Sequence, residues 1–126
     1  MTTINITSIL HASIIVQDTE RALKFYHDVL GMDIDATRPD LGYPGAWLYI
    51  GKQQLHLLEL PNPDPVIGRP AHGGRDRHVA FSVDDISRLQ QALDSAGLVY
   101  TVSKSGRRAL FIRDPDGNAC EFIESI

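Results

Sequence analysis

The sequence predicts an α+β protein built from two βαβββ modules. Three observations carry that expectation: the chain repeats itself, each repeat passes from strand to capped helix and back to strands, and a proline-rich stretch separates the copies. "HASIIVQDTERALKFYHDVLG", from His11, parallels "HVAFSVDDISRLQQALDSAG", from His78. Both copies open on histidine, run through apolar and β-branched residues to Val16 or Val83, reach Asp18 or Asp85, and stop at Gly31 or Gly97. The offset is 67 residues at the histidines and 66 at the glycines, so it stays nearly constant through strand and helix.

The elements follow in order. The first strand of each copy covers roughly His11 to Val16 and His78 to Val83. Asp18 and Asp85 are placed to cap helices, their carboxylates accepting free backbone N–H groups. The first helix is expected to bury Ala22, Phe25, Tyr26, Val29 and Leu30, and the second Ile86, Leu89, Leu93 and Ala96, each set falling on one helical face. Gly31 and Gly97 suit the left-handed residue that ends a helix. Strands then flank a turn in each copy: "AWLYI" and "QLHLLEL" around Gly51-Lys52, "RALFIR" and "NACEFIE" around "DPDG", where Pro115 presets the turn. The modules are expected at about 7–60 and 76–126 within a single domain, 1–126. The joining segment 61–75, with Pro61, Pro63, Pro65 and Pro70, reads as a stiff exposed linker.

Composition narrows the function. The chain has 126 residues, 43% apolar and 22% charged, with a net charge of −4, so neither nucleic acid nor an anionic membrane is an expected partner. The single cysteine, Cys120, rules out an internal disulfide and suits a reducing, cytoplasmic setting. "MTTINITSILHASIIV" has neither the basic start nor the apolar core of a signal peptide, and no run is long enough to span a bilayer.

Chemistry enters at the strands. With the last strands in register, His56 meets Glu121 at an offset of 65. The copies therefore carry His11 with His56, and His78 with Glu121, at equivalent places on their first and last strands. Alternation puts Ala12, Ile14, Val16, Val79, Phe81 and Val83 under the helices and turns the four polar residues to the other face. Taken singly, each is an ordinary strand residue with a neighbour to satisfy it. Taken together, three imidazoles and one carboxylate form a set of divalent-metal ligands. A structural zinc site fits poorly, because such sites usually draw on several cysteines. Glu59 is expected on the opposite face as a structural or surface residue.

These residues, with "ALKFYHDVLGM", "RHVAFSVDD" and "FIRDPDGNACEFIE", resemble the vicinal oxygen chelate superfamily of glyoxalase I, fosfomycin-resistance and bleomycin-resistance proteins and extradiol dioxygenases. The resemblance covers nearly the whole chain. It implies a glyoxalase-like cupped mixed sheet and one divalent metal per site (Ni, Zn, Co, Fe or Mn) held by His11, His56, His78 and Glu121. Histidine stands at position 56 where bacterial glyoxalase I commonly has glutamate. The implied reaction is that of a lyase or isomerase whose metal chelates two neighbouring substrate oxygens and stabilises an enediolate or oxyanion. Glu121, the one carboxylate of the set, is the implied acid–base group. Arg38, Trp47, Arg107 and Arg108 lie near strand ends, where they are candidates for holding an anionic or aromatic substrate; surface charge and core packing are equally open to them. His27 reads as a helix residue, His72 as a solvated linker residue and Cys120 as a small core residue.

Two other functions stay open. His11, His78 and Glu121 alone would form the two-histidine, one-carboxylate triad of an Fe(II) dioxygenase, and a bleomycin-resistance-like protein would bind a small molecule in the same cup without metal. Assembly is expected as a homodimer with sites shared between chains. One module has too few strands to close a cup, and the proline-rich linker hinders the halves of one chain from meeting edge to edge.

Overall fold

Each repeat becomes a sheet of its own. The computed structural model describes residues 2–125. The first repeat contains β1 (His11–Val16), α1 (Thr19–Leu23), β2 (Asp33–Ile34), β3 (Gly45–Ile50) and β4 (Gln53–Glu59). The second contains β5 (His78–Val83), α2 (Ile86–Ser95), β6 (Thr101–Val102), β7 (Ala109–Arg113) and β8 (Ala119–Glu124). The strand orders are β1-β4-β3-β2 and β5-β8-β7-β6. In both sheets the first strand pairs parallel to the last and the other pairings are antiparallel. This is the cupped, mixed α+β architecture expected of the sequence. The sequence pattern did not locate β2 and β6, which are two-residue edge strands too short to show alternation.

The helix signals act as read. Asp18 and Asp85 accept the backbone N–H of Arg21 and Arg88. Gly31 and Gly97 take φ of 75° and 70°, a region that other residues enter at a cost. α1 widens after Leu23 into a π-helical stretch, Lys24–Val29, that turns both Phe25 and Tyr26 inward. Ala22, Ile86 and Leu93 are buried as expected, while Val29, Leu30 and Leu89 pack against the core from its margin. Ala96 departs from expectation. It is the exposed C-cap of α2, and the chain turns there so that Leu98, beyond the glycine, packs instead. His27 closes the first helical segment through Nδ1, which donates to the Met32 carbonyl at 2.7 Å.

One core joins the repeats, with Val16, Tyr26 and Leu55 from the first and Phe81, Leu93 and Phe122 from the second. Polar contacts pin the joint. Tyr26 Oη donates to Asp114 Oδ2 at 2.7 Å and lies 3.6 Å from Cys120 Sγ. Asn118 Nδ2 donates to the Ile15 carbonyl at 3.0 Å. The contact therefore runs between the α1 segment and the turn before β8, while the chain at Gly73 packs against Phe111 and Ala119 on the other face of the second sheet. The Cys120 thiol is 3% exposed, and burial pushes its pKa up to about 12, which suits a core residue.

Candidate metal centre

Strand register decides which side chains share the open faces. Ser13, His56 and Trp47 lie opposite one another across β1, β4 and β3, and Ala80, Glu121 and Phe111 do so across β5, β8 and β7. His11 and His78 stand two residues before Ser13 and Ala80, on the same faces. Ser13 and Ala80 are the small residues beside them, and both are exposed.

On the first sheet the rings stack. His11 and His56 lie 4.0 Å apart between centroids, inclined by 15°, and Trp47 covers the other face of His56 at 4.5 Å and 9°. Burial, then the nearby His11 and Arg38 charges, lower the His56 pKa, so this imidazole stays neutral, the form that binds metals. On the second sheet His78 Nε2 lies 3.2 Å from Glu121 Oε1. Glu121 is 4% exposed, and its other oxygen accepts from Arg107 Nη2 at 3.1 Å. His78 Nδ1 is 2.8 Å from the Asp76 carbonyl. A carbonyl only accepts, so Nδ1 carries a proton. Nε2 then either holds a second proton or sets its lone pair against a carboxylate oxygen. A cation at this edge would relieve the same contact. Three imidazoles and a carboxylate, two from each sheet, are donors that suit a divalent metal of intermediate softness.

The fold brings together His11 with His56, and His78 with Glu121. Among the described residues, no three His, Cys, Asp or Glu side chains of one chain converge in a geometry fit for a metal. Trp47 is at the site, stacked on His56. Arg107 is engaged with Glu121. Arg38 donates through Nη2 to the Tyr43 carbonyl at 2.9 Å, lies over the Tyr43 ring, and keeps Nε buried without a partner. Arg108 lies away from the set, on Glu124 and Ser87. His72 caps a 3-10 turn, Gly73–Arg75, and packs on Phe111.

A family model described as the Glyoxalase/Bleomycin resistance protein/Dioxygenase superfamily matches residues 8–122. The chain belongs to that superfamily. Among its relatives, the Haemophilus influenzae lactoylglutathione lyase is 35% identical over 125 residues, covering 93% of this chain and 92% of that one. The Arabidopsis thaliana protein named Glyoxylase I 4 is 31% identical over 120 residues, covering 90% of this chain and 68% of that one. A Bacillus anthracis protein assigned to the glyoxalase family superposes with a TM-score of 0.82 at 25% identity, covering 99% of this chain and 100% of the other. In this glyoxalase-superfamily chain, sequence reasoning passed over Phe111, which meets the His78 ring edge-on at 5.3 Å. The signal was available: Phe111 is the repeat partner of Trp47, 64 residues on. Gln54, which meets His56, and Asp35, which meets Gln54, had no such signal.

Proposed function

We propose that this chain is a divalent-metal-dependent lyase or isomerase of the glyoxalase type, acting on a small oxygenated substrate at sites completed by a second copy of the chain. The observation that carries the reading is the pairing of His78 Nε2 with Glu121 Oε1 at 3.2 Å, in an orientation fixed by Asp76 and Arg107. His11 and His56 offer a second pair on the other sheet. A cation held by both pairs would supply stabilisation of negative charge growing on two neighbouring substrate oxygens. Glu121 is the group to take and return a proton, and Arg107 steadies its second oxygen while it does so. Trp47 forms a flat apolar wall against which a planar substrate group can lie, and the buried, unpartnered Nε of Arg38 offers a donor for an anionic one. The Haemophilus relative's name, lactoylglutathione lyase, supports the reaction class.

One observation favours a second reading. Gln54 Oε1 lies 2.8 Å from His56 Nε2, so one ring nitrogen is already engaged. If His56 did not ligate, His11, His78 and Glu121 would be the facial triad of an Fe(II) dioxygenase.

Metal content of the purified protein, Co(II) titration of the stripped form and turnover of a 2-oxoaldehyde–glutathione hemithioacetal test the proposal. Replacing His11, His56, His78 or Glu121 with alanine should weaken Co(II) binding on the order of 100-fold with little loss of fold. Unchanged affinity in His56→Ala, together with bound iron and oxygen uptake on catechols, would replace the lyase with the dioxygenase. Mixing His11→Ala and Glu121→Ala chains should restore one intact site per mixed dimer. No recovery in a verified mixed dimer would end the shared-site model.

A further inference from the structure

We infer that Asp35 and Gln54 are positioning residues that hold the His56 ring with its proton on Nε2 and present Nδ1 as its free nitrogen on the open face. The chain of contacts starts at Asp35, which is 6% exposed. Its Oδ1 accepts from Thr37 N at 2.9 Å and Thr37 Oγ1 at 2.6 Å, and its Oδ2 accepts from Gln54 Nε2 at 2.9 Å. The Thr37 hydroxyl, then the Thr37 N–H and the Gln54 amide, hold the Asp35 carboxyl well below the usual carboxylate range, so it only accepts.

The rest follows from donor and acceptor matching. An acceptor-only Asp35 demands the amide nitrogen of Gln54. That turns Gln54 Oε1 toward His56, and a carbonyl oxygen at 2.8 Å demands a proton on His56 Nε2. The neutral ring then has its lone pair on Nδ1. Stacking between His11 and Trp47 keeps the ring from turning out of this arrangement. His78 is held the opposite way, with Nδ1 donating to the Asp76 carbonyl and Nε2 turned to Glu121 Oε1 at 3.2 Å. The two sheets thus hold His56 and His78 by different nitrogens. A hydrogen-bonded residue behind a ligating imidazole sets its tautomer and basicity.

The consequence for metal binding rests on the proposed ligand set; the tautomer itself does not. The experiment is long-range 1H–15N correlation of the histidine rings in the metal-free, full-length protein. The wild type should show a neutral His56 with the proton on Nε2 and slow exchange of that proton with water. In Asp35→Asn the oxygen must still serve the Thr37 donors, so the new NH2 faces Gln54, the Gln54 amide turns over, and the His56 proton should move to Nδ1. Gln54→Leu, an independent variant, should lose the slow exchange while the His27 and His78 signals stay in place. A wild-type proton on Nδ1 would overturn the inference. So would an Asp35→Asn chain, folded by the His27 and His78 signals, that keeps the proton on Nε2, or a Gln54→Leu chain that keeps the slow exchange. In Asp35→Asn, Co(II) affinity should fall roughly 10- to 100-fold. A reversed tautomer with unchanged Co(II) affinity would uphold the positioning role and remove His56 from the ligand set.

Discussion

Asp76 shows how much a single residue at the end of the linker arranges. Its carbonyl orients His78, while its carboxylate gathers Arg113 at 2.8 Å, Arg69 at 3.0 Å and the Arg77 N–H at 2.9 Å. The Arg113 and Arg69 hydrogen bonds lower its pKa from 3.8 to about 2. A carboxyl whose folded pKa is depressed stabilises the fold above its unfolded pKa, and that contribution is lost as pH falls through the folded value. Urea midpoints of the wild type should therefore drop between about pH 4 and pH 2 more steeply than those of Asp76→Asn, which has no proton to take up there. Parallel slopes would mean that the arginines do not hold this carboxylate in solution. The neutral variant should also be less stable at pH 7, since two guanidinium groups lose their anion.

At the scale of the element, each helix is capped twice, once locally and once from the end of its own sheet. Besides Asp18 and Asp85, Glu59 Oε1 accepts the Thr19 N–H at 2.7 Å and Glu124 Oε2 accepts the Ile86 N–H at 2.9 Å. The two glutamates are repeat partners, 65 residues apart, at the ends of β4 and β8. A carboxylate there also meets the positive end of the helix dipole. Glu59→Ala should cost on the order of 0.5–2 kcal/mol of stability, read from urea unfolding, with Co(II) binding unaffected. A loss of metal binding without loss of stability would place Glu59 in the site rather than under the helix. Sequence alternation did put Glu59 off the open face. It did not show the cap, because Thr19 and Glu59 are 40 residues apart and meet only when β1 and β4 pair.

At the scale of the whole molecule, the proposed ligand pairs lie on separate sheets, and under that proposal each chain would be incomplete for a four-ligand metal. The segment before β1 carries Ile4, Ile6, Ile9 and Leu10 exposed, apolar surface that a second copy would cover. The protein should sediment at twice the 14.0 kDa chain mass, and removal of residues 2–9 should shift it toward monomer. A stable monomer that still binds metal through all four residues would contradict sharing. The sequence by itself determined the repeat, the helix caps at Asp18 and Asp85, the strand faces and the identity of the two polar pairs. These depend on local dihedral preference and on a period of two or 3.6, which a single chain spells out residue by residue. Only the tertiary structure decided which pairs meet, that Arg107 turns to Glu121, that Ala96 is outside the core, and that His56 is held by Gln54 and Asp35. Each of these depends on contacts between distant strands and loops, where direction, hydrogen-bond polarity and packing are set by neighbours that sequence spacing does not name.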